Sequence, residues 1–209
     1  FVATAIDEGV FPGAAYAVHT FSSYTAPPTT DLVRLPSHET VRQLAENASL
    51  ARRYENLKKG PVKFVRVDAG NGVTLDGVVM YPPGFDSTRK YPVLFHVYGE
   101  PAAQTAMDAW FANSGFHQFI AQQGYIVATF DNRGTPSLKG RAWRKVIYGA
   151  VGVLASQEQA AALRALAASR PYVDLSRVAV YGWSGGGSMT LNLMFRSPEL
   201  YRVGVAGAP

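Results

Sequence analysis

The sequence predicts an α/β protein: a mostly parallel sheet with helices on both faces, entered through an antiparallel hairpin. Three observations predict it. From residue 62 onward, short apolar runs rich in β-branched residues alternate with helix-compatible stretches. Asn71-Gly72, Pro82-Pro83-Gly84, Gly124 and Pro171 punctuate them as turns and stops. One apolar run, 178–181, ends in Gly182-Trp183-Ser184-Gly185-Gly186 and is followed by a helix-compatible stretch over 188–196. That is the strand–turn–helix context of a G-x-S-x-G serine. At 209 residues, with 47% hydrophobic and 17% charged residues, the chain can bury a sizeable core.

Residues 1–57 differ in texture and read as a separate piece of short strands and turns. Stretches 1–5, 16–21 and 31–35 are strand-like, with Pro27-Pro28 and Pro36 as breaks. The more polar 40–57 is partly helical. Asn47-Ala48-Ser49 fits a glycosylation sequon. His38-Glu39 opens no metal-binding helix, because no second His lies four residues on.

The second piece, 58–209, begins with a strand at 62–67, a tight turn at Asn71-Gly72 and a returning strand at 73–81. Residues 91–98 form a continuous apolar run, as expected of a strand buried on both faces. Stretch 102–123 is helix-compatible, with Gly124 as its stop. A buried strand follows over 125–130 and runs into a turn at Asp131-Asn132-Arg133-Gly134. Ser156-x-x-Gln159 has capping-box spacing, so a helix is expected to start at Ser156 and stop before Pro171. Strands over 177–183 and 201–206 complete the pattern.

The net charge is +5, but the basic residues sit in small clusters such as Arg52-Arg53 and Lys58-Lys59. A solvated surface accounts for this better than a nucleic-acid face. Without cysteine there is no disulfide, thiol catalysis or cysteine-ligated zinc. No apolar run is long enough to span a bilayer. No metal or organic cofactor is implied. The start at Phe1 without a leader, and the end just after an apolar segment, read as a piece cut from a longer protein.

Ser184 is the candidate nucleophile. On a strained turn its Oγ projects beyond the sheet, and Gly182 and Gly186 let strand and helix approach closely. Gly182-Trp183-Ser184-x-Gly-Gly, with Tyr98-Gly99-x-Pro101 and Asp131-x-Arg133-Gly134 before it, resembles the catalytic region of the prolyl oligopeptidase family. Trp183 and the stretch from Val97 to Gln104 are most similar to its dipeptidyl peptidase IV branch. The resemblance implies an incomplete α/β-hydrolase domain over 58–209, preceded over 1–57 by the closing strands of a β-propeller. It implies Ser184 as nucleophile, with the Gly185 backbone N–H and the Tyr98 hydroxyl as oxyanion hole. It further implies release of amino-terminal dipeptides from short peptides, often after Pro or Ala, and dimerisation of the whole protein. Two residues depart from the pattern. Gly185 replaces a common Tyr, which leaves the pocket beside the serine more open. Glu100 stands where Gly is common, and is a candidate with Trp183 for substrate binding.

A serine hydroxyl needs a base, normally His, oriented by a carboxylate. In α/β-hydrolases these follow the serine along the chain. After Ser184 the sequence has no Asp or His, and Glu199 is its one acid; His19, His38, His96 and His117 all precede the serine. His96 and His117 read as structural, Asp131 likewise, and Asp174 as a turn residue. The chain alone is therefore expected to be inactive, its base and acid lying further on. Two other readings stay open. One is an oligopeptidase, acylaminoacyl peptidase or esterase of the same fold. The other is a catalytically dead relative used for interaction.

Overall fold

A computed structural model describes residues 5–9 (backbone), 13, 15–111 and 113–209. The described chain divides into two compact units, 1–58 with 107–115, and 59–106 with 116–209.

The first unit is an antiparallel four-stranded sheet in sequence order: β1 (Ala5–Gly9), β2 (Tyr16–Ser23), β3 (Ala26–Arg34) and β4 (Glu39–Ala45), followed by α1 (Ala48–Glu55). The strand expected over 1–5 lies mostly outside the described residues. Pro27 and Pro28 do not break the chain but open β3. They precede the β3–β4 pairing, which begins at Thr30, and flank an irregularity between β2 and β3. Segment 107–115 packs onto this unit: Tyr24 N donates to Asp108 Oδ1 at 2.7 Å, Trp110 N to Ser22 Oγ at 3.2 Å, and Trp110 stands edge-on to Tyr54. Asn47 of the sequon caps α1 in a left-handed conformation, and its Nδ2 donates to Pro28 O at 2.6 Å.

The second unit holds a six-stranded sheet in the order β10-β9-β7-β8-β6-β5. Its strands are β5 (Val62–Asp68), β6 (Thr74–Met80), β7 (Tyr91–His96), β8 (Ile126–Asp131), β9 (Val173–Trp183) and β10 (Val203–Gly207). Strands β10, β9, β7 and β8 are parallel; β6 joins β8, and β5 joins β6, antiparallel. The expected class and hairpin entry are present. At the hairpin turn Asn71 and Gly72 both have positive φ (53° and 74°), the geometry for which Asn-Gly is favoured. All six residues of β8 are buried, which is why it reads as an unbroken apolar run.

The helices of this unit are α2 (Ser114–Gln122, in this unit from residue 116), α3 (Gly140–Lys145), α4 (Val153–Ser169) and α5 (Gly185–Arg196). Strand alternation assigns them to faces. Val93, Phe95, Val178 and Val180 point into a core completed by Leu163 and Leu166 of α4 and by Met189 and Leu193 of α5. Their neighbours His96 and Tyr181 point the other way, onto Phe116 and His117 of α2.

Two helix expectations are corrected. The helix foreseen over 102–123 begins only at Ser114. Before it, the N–H groups of Thr105 and Ala106 donate to the Asp131 carboxylate at 2.8 and 3.0 Å, and 107–115 belongs to the first unit. Helix α4 starts at Val153 behind Gly152, whose φ of 88° ends the preceding turn. Ser156 is inside the helix and donates to Val153 O, so the expected capping box is absent.

Candidate active site

Ser184 stands where β9 stops and α5 starts, with φ 56° and ψ −123°. A non-glycine residue there costs on the order of 1–3 kcal/mol and persists only where its surroundings fix it. Three contacts do so. Ser184 N donates to Gly207 O of β10 at 2.9 Å, and its carbonyl accepts from Gly187 N at 2.7 Å and Ser188 N at 3.1 Å. The residue is exposed, as a nucleophile must be.

The glycines around it are required by contact. A Cβ on Gly182 would stand 2.2 Å from Gly186 O and 2.6 Å from Val97 O, and one on Gly186 2.3 Å from Val97 O. One on Gly187 would stand 2.3 Å from Gly207 O. The strand ends and the first turn of α5 therefore touch backbone to backbone. The first N–H groups of α5 have no partner within the helix, and the helix dipole adds positive potential there.

Strand β7 brings the second group. It pairs with β9 through Phe95↔Val180 and His96↔Tyr181, and Val97 N donates to Tyr181 O at 2.9 Å. The chain then leaves the sheet through Tyr98, Gly99 (φ 74°) and Glu100, beside the elbow. A Cβ on Gly185 would lie 3.3 Å from Tyr98 Cζ, 3.1 Å from Glu100 Cδ and 2.8 Å from Glu100 Oε2. So Tyr98, Glu100 and Gly185, separated by some 85 residues of chain, converge. The pocket beside Gly185 is not open as expected from its missing side chain, because Glu100 fills that space. Burial raises the pKa of Glu100.

Two residues that the sequence offered only as a turn residue and a capping-box partner hold this turn. Asn132 Nδ2 donates to Gly99 O at 3.0 Å, and Gln159 Nε2 of α4 donates to Asn132 Oδ1 at 2.8 Å and to Phe130 O at 2.7 Å. Gln159 is fully buried in an alanine- and leucine-rich helix, and the polar residue in that apolar stretch was the available signal. Asp131 fixes the next stretch: it accepts from Thr105 N, Thr105 Oγ1 and Ala106 N. Burial raises its pKa, and those hydrogen bonds oppose the rise. Arg133 pairs with Glu158 of α4.

The remaining candidates are placed apart from this cluster or used elsewhere. The Trp183 ring lies over Gly207 of β10, where a Cβ would come within 2.3 Å of it, and its residue is 63% exposed. Glu199 is paired with Arg164 on the surface. His96 and His117 pack on each other with ring centroids 4.8 Å apart. Burial lowers their pKa to about 4 and about 3, so both are neutral at pH 7. Asp174 serves its turn: it accepts from Ser176 and Arg177, which lower its pKa to about 2. His19 and His38 belong to the first unit. No group of three or more metal-ligating side chains occurs among the described residues. None of the described helices is long and apolar enough to cross a membrane.

The chain is similar to proteins of one kind. It is 36% identical over 205 residues to "Probable dipeptidyl-aminopeptidase B" of Paracoccidioides lutzii, covering 94% of this chain and 21% of that protein. It is 37% identical over 203 residues to the protein of the same description in Emericella nidulans, covering 94% and 22%. The crystal structure of Porphyromonas gingivalis dipeptidyl peptidase 4 superposes with a TM-score of 0.88 at 32% identity, over 96% of this chain and 28% of that one. The chain thus spans about one fifth of the length of these curated relatives. The sheet order, the serine elbow and these similarities are those of an α/β-hydrolase domain fragment. Residues 112–209, which contain the elbow, match the prolyl oligopeptidase family.

Proposed function

We propose that this chain carries the nucleophile and the oxyanion pocket of a serine peptidase that releases dipeptides from the amino termini of short peptides. The single observation that carries the reading is the Tyr98 ring beside Gly185, the residue that follows a strained, exposed Ser184. Ser184 Oγ attacks the scissile carbonyl carbon and gives its proton to a base. The carbonyl oxygen becomes an oxyanion and accepts hydrogen bonds from the Gly185 N–H and the Tyr98 hydroxyl. Collapse expels the new amine, which takes the proton back. Water then attacks the acyl-enzyme, releasing the dipeptide and restoring the serine. Trp183 and Glu100 contribute to substrate binding, and Pro or Ala is the expected penultimate residue. Dipeptide release is the activity that the relatives' descriptions name.

The base and its carboxylate are supplied by a longer protein, in the order Ser, Asp, His. The 209-residue chain alone is inactive on this reading. Its first unit is the closing part of a β-propeller, and the second is the start of the peptidase domain.

The test uses the full-length protein. A fluorophosphonate probe should label Ser184 and fail on Ser184→Ala, and Gly-Pro and Ala-Pro chromogenic substrates should be cleaved. Cleavage of acyl-blocked substrates alone would transfer the reading to the acylaminoacyl peptidases. Absence of labelling would leave a catalytically dead relative.

A further inference from the structure

The acyl-transfer chemistry leaves one charge in the site unused. Glu100 lies directly against Gly185, with its Oε2 2.8 Å from the position of a Cβ there. Any side chain at 185 would enter the volume that this carboxylate fills. Glu100 is half-buried, and burial alone shifts its carboxyl; no hydrogen bond or cation from the described residues offsets the loss of water. A partly desolvated carboxylate with no protein partner gains when a donor or a cation reaches it. It also sits beside the Gly185 amide, the group assigned to the oxyanion. A negative charge there opposes the charge that develops on the carbonyl oxygen unless a cation lies between them.

Both effects have one remedy, a positive group brought in by the substrate. Because the Gly185 amide receives the carbonyl oxygen, groups within a residue of that carbonyl come within reach of Glu100. We propose that Glu100, admitted by the missing side chain at Gly185, is a specificity residue that binds a cationic group of the peptide next to the scissile bond. The inference rests on Ser184 as nucleophile. The cation has two sources, the substrate's amino terminus or the side chain of the residue that carries the scissile carbonyl.

The experiment compares the full-length protein with Glu100→Gln on chromogenic dipeptides. One arm sets lysine against norleucine at the carbonyl residue. The other sets a free against a formylated amino terminus on the norleucine substrate. In one arm the wild-type ratio of kcat/KM, cationic over neutral, should fall at least fivefold in Glu100→Gln, and that arm names the source. A smaller fall in both arms overturns the inference. Fluorophosphonate labelling of both proteins separates the failures. If the wild type is not labelled, the reading of Ser184 falls and takes the inference with it. If both are labelled and the ratios hold, only the inference falls. Should Glu100→Gln alone fail to label, Glu100→Ser is read against the same threshold.

Discussion

Gly182→Ala tests the central claim that strand and helix touch backbone to backbone at the elbow. The added methyl carbon would stand 2.2 Å from Gly186 O, 2.4 Å from Gly186 C and 2.6 Å from Val97 O. Carbon and oxygen rest at about 3.3 Å or more, so relief demands a shift of roughly 1 Å. None of the obstructing atoms can rotate away, because all belong to the backbone. One set opens α5, and the other ends β7, which is paired on both sides by β8 and β9. Overpacking against side chains that can move costs about 1–3 kcal/mol. Here the displaced backbone also holds Ser184 at its strained dihedrals, so the loss is expected at about 3 kcal/mol or above. For a unit of this size that corresponds to a fall of about 6–12 °C in Tm. Thermal unfolding of the full-length protein, followed at the transition of this unit, reads the shift. Gly115→Ala, in the part of α2 that belongs to the first unit, is the control for an added methyl and is read at that unit's transition. Its Cβ would meet nothing within 4 Å and it lies in α2, so the change should be neutral or stabilising by up to about 1 kcal/mol. A Gly182→Ala protein that melts with its parent, and labels at Ser184 at the parent's rate, would refute the close-contact argument.

Two further outcomes are expected. Tyr98→Phe keeps the ring beside Gly185 and removes only the hydroxyl, so kcat should fall about 100- to 1000-fold while KM changes little; turnover equal to wild type would exclude Tyr98 from the oxyanion hole. The His96–His117 pair should make the unit acid-sensitive. Both have folded-state pKa values below the ordinary 6.5, at about 4 and about 3, so the unfolded chain takes up protons first and stability falls as pH drops from 6.5 towards 4. At pH 5 the loss is at most ~4 kcal/mol for the two together. It should shrink in His117→Gln, as measured by denaturant unfolding at pH 7 and pH 5; an unchanged pH slope in that variant would count against the pair.

The central strands of the second unit were legible because burial on both faces leaves a local mark. Strands β7 and β8 are apolar runs with no polar alternation, and β8 has no exposed residue. The elbow was legible for the same reason: strand, turn and helix are consecutive, and the glycines that the contact requires stand within five residues. The errors fall where a distant partner decides. Nothing local tells that Thr105 and Ala106 give their N–H groups to a carboxylate at position 131, and that commitment keeps the chain around them from being helix. Ser156-x-x-Gln159 has the right spacing for a cap, but Gln159 is drawn inward by Phe130 and Asn132 on the sheet.

The site divides along the same line. Ser184 follows from its neighbours in sequence, whereas the role of Gly185 came from family resemblance. Tyr98 came from it too, because only the adjacency of β7 and β9 brings it beside Gly185. Glu100 and Gly185 each look like an isolated departure from the family pattern, one adding a side chain and the other removing one. In space they are a single exchange, since the carboxylate of the first occupies the volume vacated by the second. Restoring bulk at position 185 while Glu100 remains would set two groups in one volume, 2.8 Å apart at the Cβ alone. Such pairs do not add independently. A large residue at 185 should therefore push the Glu100 carboxylate aside, and the specificity of the pocket should change with the pair rather than with either residue.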